Sequence, residues 1–182
     1  MVDLPIRVEN VVAVALLGVD VPLDKLVSQA DNANYEPEPF SGLVFRTGEK
    51  GVASLIFSSG KIVCTGAKSI EHAKEVLRTV VDKIGEIGVK VPAAYPIEIE
   101  SMVASSRLDS EFSLHDVASS MESAEYDPAR FPGLIYNVPD SSISMMLFAD
   151  GRILCSGARS EQGIKDAIMQ LVAGMKKAGV HA

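Results

Sequence analysis

The side chains of this 182-residue chain that could do covalent or metal chemistry are few and poorly spaced for it. Its three histidines, His72, His115 and His181, share no metal-ligand spacing. Ser59-Gly60-Lys61 matches the end of a phosphate-binding loop. The first glycine of that motif is missing, however, and Ile62 stands where Ser or Thr would hold a metal ion. No nucleophile elbow occurs. Cys64 and Cys155 sit among apolar neighbours, as buried structural thiols do. Two cysteines do not make a secreted disulfide framework, so a reducing interior is expected. No catalytic residue, metal ligand or cofactor is expected, which leaves the chemistry of binding: apolar contact, hydrogen bonding and charge.

The residues suited to that chemistry recur. Phe40 to Ser69, FSGLVFRTGEKGVASLIFSSGKIVCTGAKS, returns from Phe131 to Ser160 as FPGLIYNVPDSSISMMLFADGRILCSGARS, at a constant offset of 91. The same offset pairs Val12 with Val103, Leu23 with Leu114 and Tyr35 with Tyr126, with no gap from Glu9 to Val89. Solenoids need three or more short units. Two long copies point instead to a duplicated half-domain with internal pseudo-two-fold symmetry. The repeats are expected to span 1–92 and 93–182 within one continuous domain, because a shared sheet buries more surface than two small cores.

Each copy predicts the order β-α-β-β-β-α. The valine-rich run Glu9 to Leu17 is a buried strand, repeated within Ile97 to Arg107. Pro22 opens a short helix and Ser113 caps its counterpart. A proline-stiffened loop, YEPEPF, leads into strands at Gly42 to Arg46, Val52 to Phe57 and Lys61 to Thr65, joined by glycine-punctuated turns. The second copy places three strands between Gly133 and Ser156. Ser69 caps a long helix whose apolar stripe runs from Ile70 to Ile87 and which Gly88 can end. The closing helix follows Ser160 and carries Ile164, Ala167, Ile168, Leu171, Val172 and Met175 on one face.

Alternation along these strands leaves both sheet faces largely apolar, yet each copy supplies only one strong amphipathic helix and one short one. One face is therefore expected to be left bare. A bare apolar face of that size is a binding surface, or else is covered by a second copy or a further layer.

The net charge is −7, which taken whole argues against nucleic acid. Its distribution reads differently. Gly18 to Ser41 holds five acids and one base, and Asp109 to Phe131 six and one. Gly42 to Lys68 holds four bases and one acid, and Gly133 to Arg159 two of each. Acid is kept to the connecting segments and off the strand repeats. The apolar runs are far short of a membrane span. The N-terminus, MVDLPIRVEN, has no signal-peptide core.

ENVVA, FSGLVFR, SLIFSSGKIVCTGAKS, FPGLIY and GRILCSGARS resemble the TATA-box-binding proteins, over Arg7 to about Val180 and in that family's two-repeat order. The short N-terminus looks archaeal. The resemblance implies an α+β saddle: a pseudo-symmetric, curved antiparallel sheet with helices on its convex face and its concave face on a widened minor groove. It implies that Phe40 with Phe57, and Phe131 with Phe148, wedge between base steps, the mechanism for which this family is a standard example. It places Val12, Leu55, Val63 and Thr65, then Val103, Met146, Leu154 and Ser156, on the groove floor, where apolar contact tolerates A·T pairs and clashes with the guanine amino group. Asn10 matches one of two central asparagines that hydrogen-bond base acceptors, and Ser101 stands at the other. Arg46, Lys61, Lys68, Arg152 and Arg159 match phosphate-facing positions.

The departures fall in the second copy: Ser101 for asparagine, Asn137 for an arginine, Ser156 for threonine, and YDPAR, with Asp127, in the loop that in relatives is acidic and recruits transcription factor B, where Ala129 and Arg130 stand in place of an acid and a neutral residue. The implied role is a general initiation factor that binds and bends A·T-rich promoter duplex and nucleates a complex with transcription factor B and RNA polymerase. The implied location is the cytoplasmic nucleoid, or a nucleus in a eukaryote; a homodimer without DNA stays open. The alternative is a divergent paralogue that uses the saddle to grip proteins or regulators.

Overall fold

A computed structural model describes residues 4–180; residues 1–3 and 181–182, and with them His181, lie outside the described part. The chain forms two compact units. One is Asn10–Glu100; the other runs from Ser101 onward and includes the N-terminal stretch through Glu9.

In the first unit the strands are β1 (Arg7–Leu16, of which residues 10–16 belong here), β2 (Ala33–Asn34), β3 (Leu43–Phe45), β4 (Ala53–Ile56) and β5 (Lys61–Ala67), with helices α1 (Leu23–Gln29) and α2 (Ile70–Glu86). Its strands lie antiparallel in the order β2-β3-β4-β5-β1. The second unit repeats this with β6 (Ile97–Arg107, residues 101–107 here), α3 (Leu114–Ser120), β7 (Ala124–Glu125), β8 (Leu134–Asn137), β9 (Ser144–Leu147), β10 (Arg152–Ala158) and α4 (Glu161–Lys177), in the order β6-β10-β9-β8-β7. Sequence reading omitted β2 and β7. Each is two residues long, too short to show alternation, and is defined only by pairing, Ala33 with Phe45 and Ala124 with Tyr136.

The long helices form as their spacing dictates. Ser69 Oγ accepts from His72 N–H and Ser160 Oγ from Gly163 N–H, satisfying first-turn donors that a helix leaves open. Ala73, Val76, Leu77, Val80, Val81 and Ile84 are buried along α2, which packs on β5 and β4. Ile164, Ala167, Ile168, Leu171, Val172 and Met175 do the same along α4, which packs on β10. Gly88, at φ +89°, ends the first helix with its N–H on Gly85 O.

These helices cover one face of each half-sheet. Ile56, Ile62 and Cys64 are buried in the first unit, and Leu147, Ile153 and Cys155 in the second. The alternate residues are not covered. Leu55, Val63 and Thr65, and likewise Met146, Leu154 and Ser156, stay half-exposed. The alternation breaks once per unit. Val11 pairs with Ala67 but Ala13 with Cys64, so β5 carries one extra residue at Thr65–Gly66. Gly66 sits at φ +91°, and Gly157, in the matching bulge of β10, at φ +88°. The bulge is why Ala67 and Ala158 return to the buried face three residues after Cys64 and Cys155.

Candidate nucleic-acid interface

The open face of each unit is a set of cross-strand rows. In the first, Val44 lies opposite Leu55, Leu55 opposite Val63 and Val63 opposite Val14. In the second the row is Ile135, Met146, Leu154 and Ser105. A parallel row sets Ala53 against Thr65, and Ser144 against Ser156 and Val103. Val12 and Val103 are half-exposed like Val44, Leu55, Val63, Met146 and Leu154, while Val14 is buried and Ile135 exposed. The rows therefore bring the anticipated floor residues other than Val12 together within each unit; Val12 lies on β1 opposite the bulge of β5. Val44 and Ile135, which sequence reading left out, extend them by one strand.

Two residues beyond Leu55, and two beyond Met146, a phenylalanine ring meets a second one edge to face. Phe40 and Phe57 are 5.9 Å apart between centroids at 69°, and Phe131 and Phe148 are 6.0 Å apart at 63°. Each pair is built by two local devices. Phe57 lies just past β4, where its N–H donates to Lys61 O and its carbonyl accepts from Gly60 N–H. Phe148 is held the same way by Arg152 O and Gly151 N–H. Phe40 N–H donates to Glu36 O and Phe131 N–H to Asp127 O, which fold the proline-rich loops back toward the hairpin tips. The glycine of F-x-G-L then lies directly beneath the rings. A Cβ on Gly42 would come within 2.6 Å of Phe40 Cε1 and 3.1 Å of Phe57 Cε1, and one on Gly133 within 2.7 Å of Phe131 Cε1. Phe40 remains 39% exposed although large and apolar. Each ring pair thus stacks on bare backbone beside an open apolar row, outside the buried core.

Polar groups on this face have distinct environments. Gly66 N–H donates to Asn10 Oδ1 at 2.7 Å, so the amide's donor end, Nδ2, is left for another partner. Ser101, half-exposed in the other unit, has one heavy atom where Asn10 has three beyond Cβ. Ser156 Oγ donates to Ser144 O at 3.4 Å. Arg46, Lys61, Lys68, Arg152 and Arg159 are all exposed. Arg152 is also engaged: its Nε donates to Asp150 Oδ2 at 2.7 Å and its guanidinium lies 5.0 Å from the Phe148 centroid. Asn137 is exposed at the end of β8, opposite Ser144.

Asp127, Ala129 and Arg130 form one exposed turn, in which Ala129 N–H donates to Asp127 Oδ1 and Arg130 N–H to Asp127 O. Asp127 therefore orders the loop that carries Phe131. Among the described residues no group of three or more His, Cys, Asp or Glu side chains is placed to hold a metal ion. No helix among them is long and apolar enough to cross a membrane.

The family described as transcription factor TFIID, or TATA-binding protein, matches this chain over residues 5–87 and again over 96–178. The chain belongs to the TATA-box-binding protein family. The TATA-box-binding protein of Methanobrevibacter smithii is 40% identical over 165 residues, covering 91% of both chains. That of Pyrococcus abyssi is 40% identical over 178 residues, covering 98% of this chain and 93% of its own. The solved structure of Methanococcus jannaschii TBP superposes with a TM-score of 0.88 at 37% identity, over 94% of this chain and 98% of that one. The α+β two-repeat fold of the TATA-box-binding proteins is thus the fold of this chain.

Proposed function

We propose that this chain is a general transcription initiation factor that binds A·T-rich promoter duplex through the minor groove, bends it, and acts without catalysis, metal or cofactor. The observation that carries this reading is the two phenylalanine pairs, each seated over a glycine beside a half-exposed apolar row. The repeats 1–92 and 93–182 act as one domain. Val12, Leu55, Val63, Thr65, Val103, Met146, Leu154 and Ser156 lie on the groove floor. An apolar floor leaves the A·T acceptors without a clash and meets the guanine amino group as a buried, unpaired donor. Asn10 donates to base acceptors from Nδ2. Arg46, Lys61, Lys68, Arg152 and Arg159 neutralise backbone phosphates, which supplies most of the affinity and makes it salt-dependent.

The bent complex then presents the Asp127–Arg130 turn to transcription factor B, and through it RNA polymerase is recruited. Its place is the nucleoid of an archaeal cell. A homodimer that hides the open face stores the protein when DNA is absent. The test is equilibrium binding of the full chain to a TATA duplex and to a G·C-substituted duplex across salt. Tight, salt-sensitive binding to the first alone supports the reading; equal binding to both, or to neither by a folded protein, overturns it.

A further inference from the structure

The two units carry equivalent strands but unlike charges beside their wedges. Arg107 ends β6 and lies opposite Arg152. The residues 91 positions earlier, Leu16 and Lys61, lie opposite each other in the same way. Leu16 is 42% exposed and Arg107 is exposed as well. The position thus points outward in both units, apolar in one and cationic in the other. Arg7 supplies a third guanidinium: with Arg107, Arg152, Phe148 and Leu154 it lines an open pocket of about 520 Å³. The residue 91 positions after Arg7 is Glu98. Three arginines in the second unit therefore stand where the first has one lysine, one leucine and one glutamate.

The carboxylate contacts to Arg152 and Arg7 among the described residues do not cancel the cluster. Asp150 accepts from Arg152, and Glu9 Oε1 lies 3.5 Å from Arg7 Nε while accepting from Ser105 Oγ at 2.6 Å. These two carboxylates face three guanidiniums. Desolvation, the largest single influence, works against ionisation of Asp150, but the hydrogen bonds and charge of Arg152 and the charge of Arg107 together outweigh it and hold its carboxyl below the usual range. Ser106, 8% exposed, also lines the pocket and its hydroxyl has no partner among the described residues. Guanidinium groups present planar forks that fit phosphate oxygens two at a time. The wall of this pocket is the wedge ring itself.

We propose that Arg107, with Arg7 and Arg152 beside it, forms a phosphate site that takes a backbone phosphate of the bound duplex next to the second wedge. The inference rests on the minor-groove reading above. It accounts for how the second repeat holds DNA although position 137 is asparagine and its strand repeat carries as many acids as bases. The first repeat, with Leu16 there, has no equivalent contact.

The experiment is fluorescence anisotropy of the full chain on a TATA duplex across a salt series, for the unaltered protein, Arg107→Ala, Arg107→Lys and Arg78→Ala. Arg78 is an exposed α2 residue that removes the same charge elsewhere. Arg107→Ala is expected to reduce the slope of log affinity against log salt by ~0.9, the loss of one phosphate contact. Arg107→Lys should keep most of the slope and Arg78→Ala all of it. An unchanged slope in Arg107→Ala, or an equal loss in Arg78→Ala, overturns the site while leaving DNA binding intact. Absence of binding by the unaltered protein overturns the functional reading itself, and the site with it. Calorimetry with inorganic phosphate and no DNA separates the two sources of phosphate. Saturable binding there that Arg107→Ala abolishes would assign the pocket to a free anion and overturn the duplex contact.

Discussion

The backbone N–H of Gly66 donates to Asn10 Oδ1 at 2.7 Å, across 56 residues of sequence. The bulge at Gly66 turns that N–H out of the strand ladder, and the Asn10 amide fills it. Oδ1 is thereby committed and Nδ2 is the edge available to a base. Ser101 cannot serve both ends: one hydroxyl on Cβ does not span from the Gly157 bulge to a groove acceptor. A base acceptor left dry and unpaired costs on the order of 1–3 kcal/mol, and about 1.4 kcal/mol is tenfold in affinity. Ser101→Asn is therefore expected to tighten binding to a TATA duplex by about tenfold and to sharpen preference at the central base steps only. Asn10→Ser should do the reverse. Equilibrium binding to duplexes varied at those steps, at fixed salt, checks this. No change in either variant would remove both residues from the groove.

Gly133 lies under the Phe131 ring with no room for a methyl group. Gly133→Ala must push the ring aside or shift the backbone of β8, at a cost of about 1–3 kcal/mol. A lowered thermal midpoint together with a lowered bend angle is expected, since the same ring is both packed and used. Gly85→Ala, where an added Cβ meets nothing within 4 Å, serves as the control: as a residue of α2 it should keep or raise the midpoint and leave the bend unchanged. Full bending by a folded Gly133→Ala protein would show that ring placement is not set by this glycine.

Cys64 and Cys155 are fully buried, and burial pushes both thiols up from 9.0 to about 11. The unfolded chain releases these protons near pH 9 and the folded chain only near pH 11. In that window the unfolded state binds fewer protons, so stability falls as pH rises. At about 1.4 kcal/mol per pH unit of difference, each thiol contributes at most about 2–3 kcal/mol to the fall. Burial raises Tyr136 too, which adds a background common to all variants. Urea midpoints measured from pH 8 to 11 should fall more steeply in the unaltered protein than in Cys64→Ala/Cys155→Ala. Equal slopes would show that the thiols titrate alike in both states.

The helices were legible because Ile164 to Met175 and Ala73 to Ile84 repeat at helical spacing behind a serine cap, a local signal. The open face was legible for a similar reason: Leu55, Val63 and Met146 alternate with buried neighbours, and only one long helix per copy was available to cover them. Strands β2 and β7 were not, since two residues carry no period. Nor was the Gly66 bulge, whose shift of Ala67 to the buried face is a matter of pairing. The Asn10–Gly66 bond joins residues far apart in sequence. Arg107 escaped because the repeat itself conceals it: its counterpart is Leu16, so comparing copies marks the position as a strand end rather than a charge.

The wedges decide the account. Fluorescence transfer between dyes at the two ends of a TATA duplex measures the bend directly, at protein concentrations that saturate each variant. The unaltered chain should bend the duplex sharply, and Phe131→Ala/Phe148→Ala should still bind at low salt through phosphate contacts but lose most of the bend. If the doubly substituted protein bends the duplex as fully as the unaltered one, the ring pair does not enter the base stack and the proposed mode of binding is wrong.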